Sequence, residues 1–147
     1  MSARRIAIAA LALTAIFHAA PAMAQDKVKV IATFSILADL ARNVGGDRVE
    51  VMSLVPPNGD AHVYAPSPAD AKKLADAKVV LANGLGFEGW IARLVKSSGT
   101  RAAVLVASKG VKPRKMEEEG HGHGHEHADA DPHAWQSAAN AKIYAGN

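Results

Sequence analysis

The sequence contains no cysteine in 147 residues. That excludes a disulfide scaffold, a Cys-ligated zinc finger, an iron–sulfur cluster and a cysteine nucleophile. It also removes the residue to which an exported bacterial protein would attach a lipid. Aromatic residues are scarce, at 5%. Charge of one sign is in short supply too: 17 Lys and Arg face 14 Asp and Glu, a formal +3. So small a surplus gives little support to nucleic-acid binding, and none is expected. Long apolar runs are missing as well. Ile6 to Phe17, interrupted by Thr14, holds only about a dozen residues where a bilayer span needs ~20. What is present is a chain with 49% hydrophobic and 21% charged residues. Wholesale disorder is excluded, and the length suits one domain or one lobe of something larger.

The first 24 residues read as an address. Arg4 and Arg5 form a positive start, the Ile6–Phe17 run follows, and Ala22-Met23-Ala24 is a small-x-small cleavage site. Residues 1–24 are therefore expected to be a secretory signal, cleaved after Ala24. Without Arg4 and Arg5 the charges of the mature chain nearly balance. Export without cysteine points to a soluble protein of a bacterial periplasm.

From residue 25 onward strand and helix patterns alternate. Lys27 to Phe34 reads as a strand entering an interior, with Ser35 able to cap a helix carrying Leu37, Leu40, Ala41 and Val44 on one face. Gly45-Gly46 stops that helix, and Arg48 to Val55 forms a second strand. Pro56-Pro57-Asn58-Gly59-Asp60 forces a loop. Ser67-Pro68-Ala69-Asp70 opens a second helix. Lys78 to Ala82 is a short apolar strand. Phe87, Trp90, Ile91, Leu94 and Val95 mark an amphipathic helix with Trp90 in the core, and Ala102 to Ala107 is another strand of buried type. Strands this apolar are usually covered on both faces, so the expected fold is α/β, a parallel sheet flanked by helices. In such sheets ligands sit beyond the carboxyl ends of the strands.

Two of the loops at that end carry histidines. His62 lies in Asp60-Ala61-His62-Val63-Tyr64 and His133 in Asp131-Pro132-His133-Ala134-Trp135. Neutral imidazole is the commonest side-chain metal ligand. Asp60 and Asp131 are the candidates to orient these imidazoles. A lone loop histidine is as readily a solvated or core-capping side chain. Two at the same sheet end make a shared role the stronger reading, although spacing alone does not make them converge.

Between the fourth strand and His133, residues 116–130 form a low-complexity loop. Glu117-Glu118-Glu119 precedes His121, His123, His125 and His127, separated by Gly and Glu. This composition builds no core. It serves either as a soluble linker or as an auxiliary metal-binding loop whose imidazoles converge on zinc, copper or nickel. Its interior position and its interruptions argue against an artificial tag.

These motifs together carry a resemblance. Ile31-Ala32-Thr33-Phe34-Ser35-Ile36-Leu37-Ala38-Asp39-Leu40, then Gly59-Asp60-Ala61-His62-Val63-Tyr64 with Pro66-Ser67-Pro68-Ala69-Asp70, then Asp131-Pro132-His133-Ala134-Trp135 stand in one order. The chain resembles the metal-binding receptors of bacterial ABC importers for zinc and manganese. It looks most like the zinc members, which often carry a His-rich loop before their second ligand. The resemblance implies two α/β lobes joined by a long helix, with the metal between them. It places His62 and His133 as the two ligands of the first lobe, with His or Glu and then Asp supplied by the second. Residues 25–136 would be the first lobe and 137–147 the start of the connecting helix, with the second lobe absent from this sequence. A further departure is Ala65, where relatives often have Glu.

The expected function is thus that of a periplasmic zinc receptor of a high-affinity ABC importer, represented by its first lobe. Zn2+ is favoured over Mn2+ because the ligands are imidazole-rich. The expected partners are an ABC permease of the inner membrane and periplasmic zinc chaperones, and the protein is expected to be a monomer. The alternative is a zinc buffer or metallochaperone whose working part is the His loop and which docks no permease. No HExxH and no Gly-x-Ser-x-Gly elbow is present, so an enzyme is not expected.

Overall fold

The computed structural model describes residues 26–115 and 130–147. The expected signal segment and residues 116–129, with His121, His123, His125 and His127, lie outside the described residues. Four strands, β1 (Val28–Phe34), β2 (Val49–Val55), β3 (Val79–Ala82) and β4 (Ala103–Val106), form one sheet in the order β2-β1-β3-β4. Each adjacent pair is parallel, with Val30 beside both Val51 and Val79, and Val80 beside Val104. The helices are α1 (Ser35–Gly45), α2 (Pro68–Ala75), α3 (Ile91–Ser98) and α4 (Ala138–Gly146). This is the expected parallel α/β sheet, and every carboxyl end lies along one edge.

Hydrophobic pattern and position in the sheet agree. β1 lies between two neighbours, and its residues Val30 to Phe34 are all buried. Ile31, Leu37, Leu74 and Val80 are among the largest fully buried side chains, and together they join sheet and helices into one core. Removing water from such side chains stabilises the fold by about 1.5–3 kcal/mol each. α1 ends where Gly46 takes φ +54, a conformation that a side chain disfavours, and its N–H closes back on the Arg42 carbonyl. α2 has a full capping box: Ser67 Oγ accepts from the Asp70 N–H, and the Asp70 carboxylate accepts from the Ser67 N–H at 2.9 Å.

Three local expectations are corrected. Ser35 does not cap α1; Phe34 holds that position in an extended conformation without a side-chain cap, and Ser35 is already helical. β1 stays extended to its last residue, so strand turns into helix with no spare position. Phe87 and Trp90 precede α3 instead of belonging to it, because Gly84, Leu85 and Gly86 all take positive φ and turn the chain first. β4 is not buried: Val104, Leu105 and Val106 are each 40% exposed or more. Among the described residues it pairs with β3 alone and forms one edge of the sheet. Among the described residues, no helix is long and apolar enough to cross a membrane.

Candidate metal centre

The loops after β2 and β4 meet at the carboxyl edge. His62 Nε2 and His133 Nε2 stand 3.2 Å apart, although 71 residues separate them. Two nitrogens bound to one tetrahedral zinc, each at about 2.0–2.1 Å, would lie roughly 3.3–3.4 Å apart. The observed separation therefore fits a shared ion. His62 is exposed and His133 partly exposed, so the pair opens to solvent. Among the described residues no third His, Asp or Glu joins them as a metal-holding group.

Each histidine is held by the same local device. Asp60 Oδ1 accepts the His62 backbone N–H at 2.8 Å, and Asp131 Oδ1 accepts that of His133 at 2.9 Å. In both cases an aspartate two residues earlier folds the backbone into a tight turn. The devices then differ. Asp131 Oδ1 also lies 2.8 Å from His133 Nδ1, whereas the Asp60 contact is with the His62 backbone. Hydrogen bonds from the His133 backbone and ring, with the Arg114 charge nearby, outweigh desolvation and hold the Asp131 carboxyl below its usual range. The His133 loop is closed at its base by the Asp131 N–H on the Arg114 carbonyl at 2.8 Å and by an isolated bridge between Lys115 and Ala130.

An aromatic wall backs both rings. Phe87 meets His62 edge-on at 4.5 Å and His133 at 5.7 Å. Trp135 lies 5.3 Å from His133, as expected beneath that loop, and packs on Phe34 and Phe87 at 4.8 and 4.9 Å. Trp90 is buried as expected, and its Nε1–H donates to the Ala61 carbonyl at 2.7 Å, fixing the peptide before His62.

Sequence reasoning missed the layer behind the wall. Buried Glu88 accepts hydrogen bonds from Thr33 Oγ1, from the Asn83 N–H at 2.7 Å and from the Gly84 N–H at 3.2 Å. Fully buried Asn83 donates to the Pro132 carbonyl at 2.9 Å and accepts from the Tyr144 hydroxyl at 2.6 Å. Two signals were available. Glu88 is a charge inside the apolar Phe87–Val95 stripe, and Asn83 directly follows a strand at the carboxyl end. Phe34 and Phe87 are strand and core residues, and they also form the wall behind the two imidazoles.

Comparison with known proteins follows the same outline. Residues 30–147 match the family model described as zinc-uptake complex component A, periplasmic (ZnuA). The manganese ABC transporter substrate-binding lipoprotein PsaA of Streptococcus pneumoniae is 38% identical over 128 residues, which cover 83% of this chain and 40% of that protein. The metal ABC transporter substrate-binding lipoprotein FimA of Streptococcus parasanguinis is 36% identical over 130 residues, with 84% and 40% covered. Among solved structures, the Mn-bound periplasmic metal binding protein of Candidatus Liberibacter asiaticus superposes with a TM-score of 0.69 at 31% identity, covering 80% of this chain and 42% of that one. A crystal structure of ZnuA gives 0.69 at 30% identity, with 82% and 44% covered. A chain with this sheet and these matches belongs to the ZnuA family of metal ABC transporter substrate-binding proteins. That family consists of receptors, not enzymes. The chain spans about two-fifths of the length of the curated relatives it matches.

Proposed function

We propose that this chain is the ion-capturing first lobe of a periplasmic zinc receptor, with His62 and His133 as its two metal ligands. The observation that carries the reading is the 3.2 Å approach of the two Nε2 atoms across 71 residues of sequence. A pair of loop histidines with unrelated roles has no reason to aim the same ring nitrogen at one point. The ion is cargo: neutral imidazoles capture it, and the receptor delivers it to an ABC permease of the inner membrane. Ligands beyond this chain complete the coordination, since two histidines make only half of a four-ligand set. The sequence from residue 25 acts in the periplasm after removal of residues 1–24.

Zinc is preferred on chemical grounds. Imidazole nitrogen suits zinc, whereas manganese favours carboxylate and water oxygen. The zinc-uptake family model and the imidazole-rich run of residues 121–127 support the same choice. The name of the pneumococcal relative, a manganese receptor, makes the ion the point to test.

The test is a competition titration with zinc and with manganese on the chain from residue 25. Wild type is compared with His62→Ala/His133→Ala and with a deletion of residues 120–127. Loss of the tightest zinc site in the double variant, with the deletion nearly silent, is the expected result. Loss in the deletion alone would replace the receptor reading with a His-loop zinc buffer. Tighter binding of manganese than zinc at the histidine pair would overturn the choice of ion. Affinity is expected to fall on acidification, because protons compete for imidazole lone pairs.

A further inference from the structure

The carbonyls of the two residues on either side of His133, Pro132 and Ala134, are both held by side chains, and both holdings trace to α4. On one side, the Ala134 carbonyl accepts from Asn140 Nδ2 at 3.0 Å. On the other, the Pro132 carbonyl accepts from Asn83 Nδ2 at 2.9 Å, and the Asn83 amide is itself gripped by the Tyr144 hydroxyl at 2.6 Å. Asn140 and Tyr144 lie four residues apart on α4, hence on one face of that helix.

The orientation of the Asn83 amide is dictated by its surroundings. Its Nδ2 faces two carbonyls, of Pro132 and of Gly84 at 3.0 Å, and carbonyls only accept. Its oxygen must therefore face Tyr144, which donates. The residue is fully buried, and its backbone is pinned by Glu88. A lost bond here cannot be replaced cheaply by water. His62 depends on a different set of anchors, Asp60 and the Trp90 indole. Helix α4 thus determines where one of the two imidazoles stands, while the other is fixed from elsewhere.

We propose that Asn83, Tyr144 and Asn140 are positioning residues for metal capture: they set the distance between the two imidazoles by holding the carbonyls of Pro132 and Ala134, the residues on either side of His133. This rests on the reading of His133 as a ligand. Moving a ligand nitrogen by a few tenths of an ångström strains its bond to the ion, and outer residues that orient metal-binding histidines typically govern 10–100-fold in affinity. Asn83 and Tyr144 touch no ion; they act through the Pro132–His133 peptide.

The experiment measures zinc affinity by competition for wild type, Tyr144→Phe and Asn140→Ala, each also in a His133→Ala background. Tyr144→Phe removes one hydroxyl and keeps the buried ring, so it is the variant least prone to unfold. Thr100→Val serves as a control; it deletes a hydrogen bond to the Leu74 carbonyl near the opposite, amino edge of the sheet. Tyr144→Phe and Asn140→Ala are each expected to weaken zinc about tenfold and to alter the d–d spectrum of bound Co2+. Thr100→Val should lower stability but leave affinity unchanged. In the His133→Ala background the effect of Tyr144→Phe should vanish. The proposal is overturned if His133→Ala weakens zinc while Tyr144→Phe and Asn140→Ala do not. It is equally overturned if their effects persist undiminished without His133. If His133→Ala itself leaves zinc affinity unchanged, the ligand reading fails, and the proposal falls with it for that separate reason.

Discussion

Asp131 Oδ1 accepts two hydrogen bonds from a single residue: the backbone N–H of His133 at 2.9 Å and the ring Nδ1–H at 2.8 Å. The same contacts hold the carboxyl below its ordinary range, so it is ionised and only accepts. The ring proton of neutral His133 must therefore sit on Nδ1. Nε2 is left with its lone pair facing His62. One carboxylate selects the tautomer, sets the ring angle and folds the backbone.

That arrangement separates the two aspartates by role. Asp131→Ala is expected to weaken zinc about 10–100-fold, because it frees both ring and backbone. Asp60→Ala removes a backbone contact and should weaken binding by a smaller factor. Asp131→Asn keeps an acceptor for the turn and should fall between Asp131→Ala and wild type. Competition titration of the three variants ranks them. An Asp60→Ala loss equal to that of Asp131→Ala would mean that the turn, not the tautomer, governs the site.

The Trp135 ring lies 5.3 Å from His133 and packs on Phe87 and Phe34 behind it. Zinc capture places a cation beside this wall, so emission from Trp135 should change on titration. The measurement compares wild type with Trp135→Phe, which keeps the Trp90 bond to the Ala61 carbonyl and in which the change should disappear. No change on saturation would argue that the ion binds away from the aromatic wall.

The sheet and the histidine loops were legible in the sequence because both rest on local signals. Apolar runs separated by caps and turns give alternating strand and helix, and Asp-x-His occurs twice in segments that follow strands. Three things were not legible, each for a physical reason. Whether β4 is covered depends on what lies beside it, which its apolar composition does not record. The start of α3 is set by positive φ at Leu85, a residue that rarely adopts it. The tie between Asn83 and Tyr144 spans 61 residues and has no periodicity to betray it. Resemblance to a family supplied the pairing of His62 with His133, and spacing alone did not.

Gly84 tests the layer behind the site. It takes φ +84, and an added Cβ would stand 2.5 Å from Val106 Cγ1 and 2.9 Å from Ser108 Oγ. Its N–H also donates to Glu88. Gly84→Ala is expected to destabilise the fold by roughly 2–4 kcal/mol, from backbone strain and overpacking together. Gly89→Ala is the control: nothing lies within 4 Å of its added Cβ, and the change should stay within about 0.5 kcal/mol. Urea denaturation of both variants decides. Equal stabilities would mean that the turn after β3 yields freely and does not brace the site.

The Tyr64–Asp70 pair makes part of the stability depend on pH. Burial alone would raise the Asp70 carboxyl. Hydrogen bonds from Lys73 at 2.8 Å, from Ser67 and from the Tyr64 hydroxyl at 2.9 Å overcome that and hold it far below the usual carboxylate range. An unfolded aspartate titrates at about pH 4. A depressed folded value therefore contributes stability that is fully present above about pH 4 and is lost as pH falls further. Burial, with the Asp70 bond and charge, pushes the Tyr64 phenol the other way, to about 12. Its contribution is present below the ordinary tyrosine value of about 10 and is lost as pH rises through that raised value. Asp70→Asn removes the acid-side dependence and should cost about 1–3 kcal/mol at neutral pH, since it leaves Lys73 without its ionic partner and weakens the α2 cap. The stability gap between wild type and Asp70→Asn, measured by urea unfolding at about pH 6 and about pH 3, should narrow on acidification. A gap that stays constant would show that the carboxylate is not held ionised by these partners.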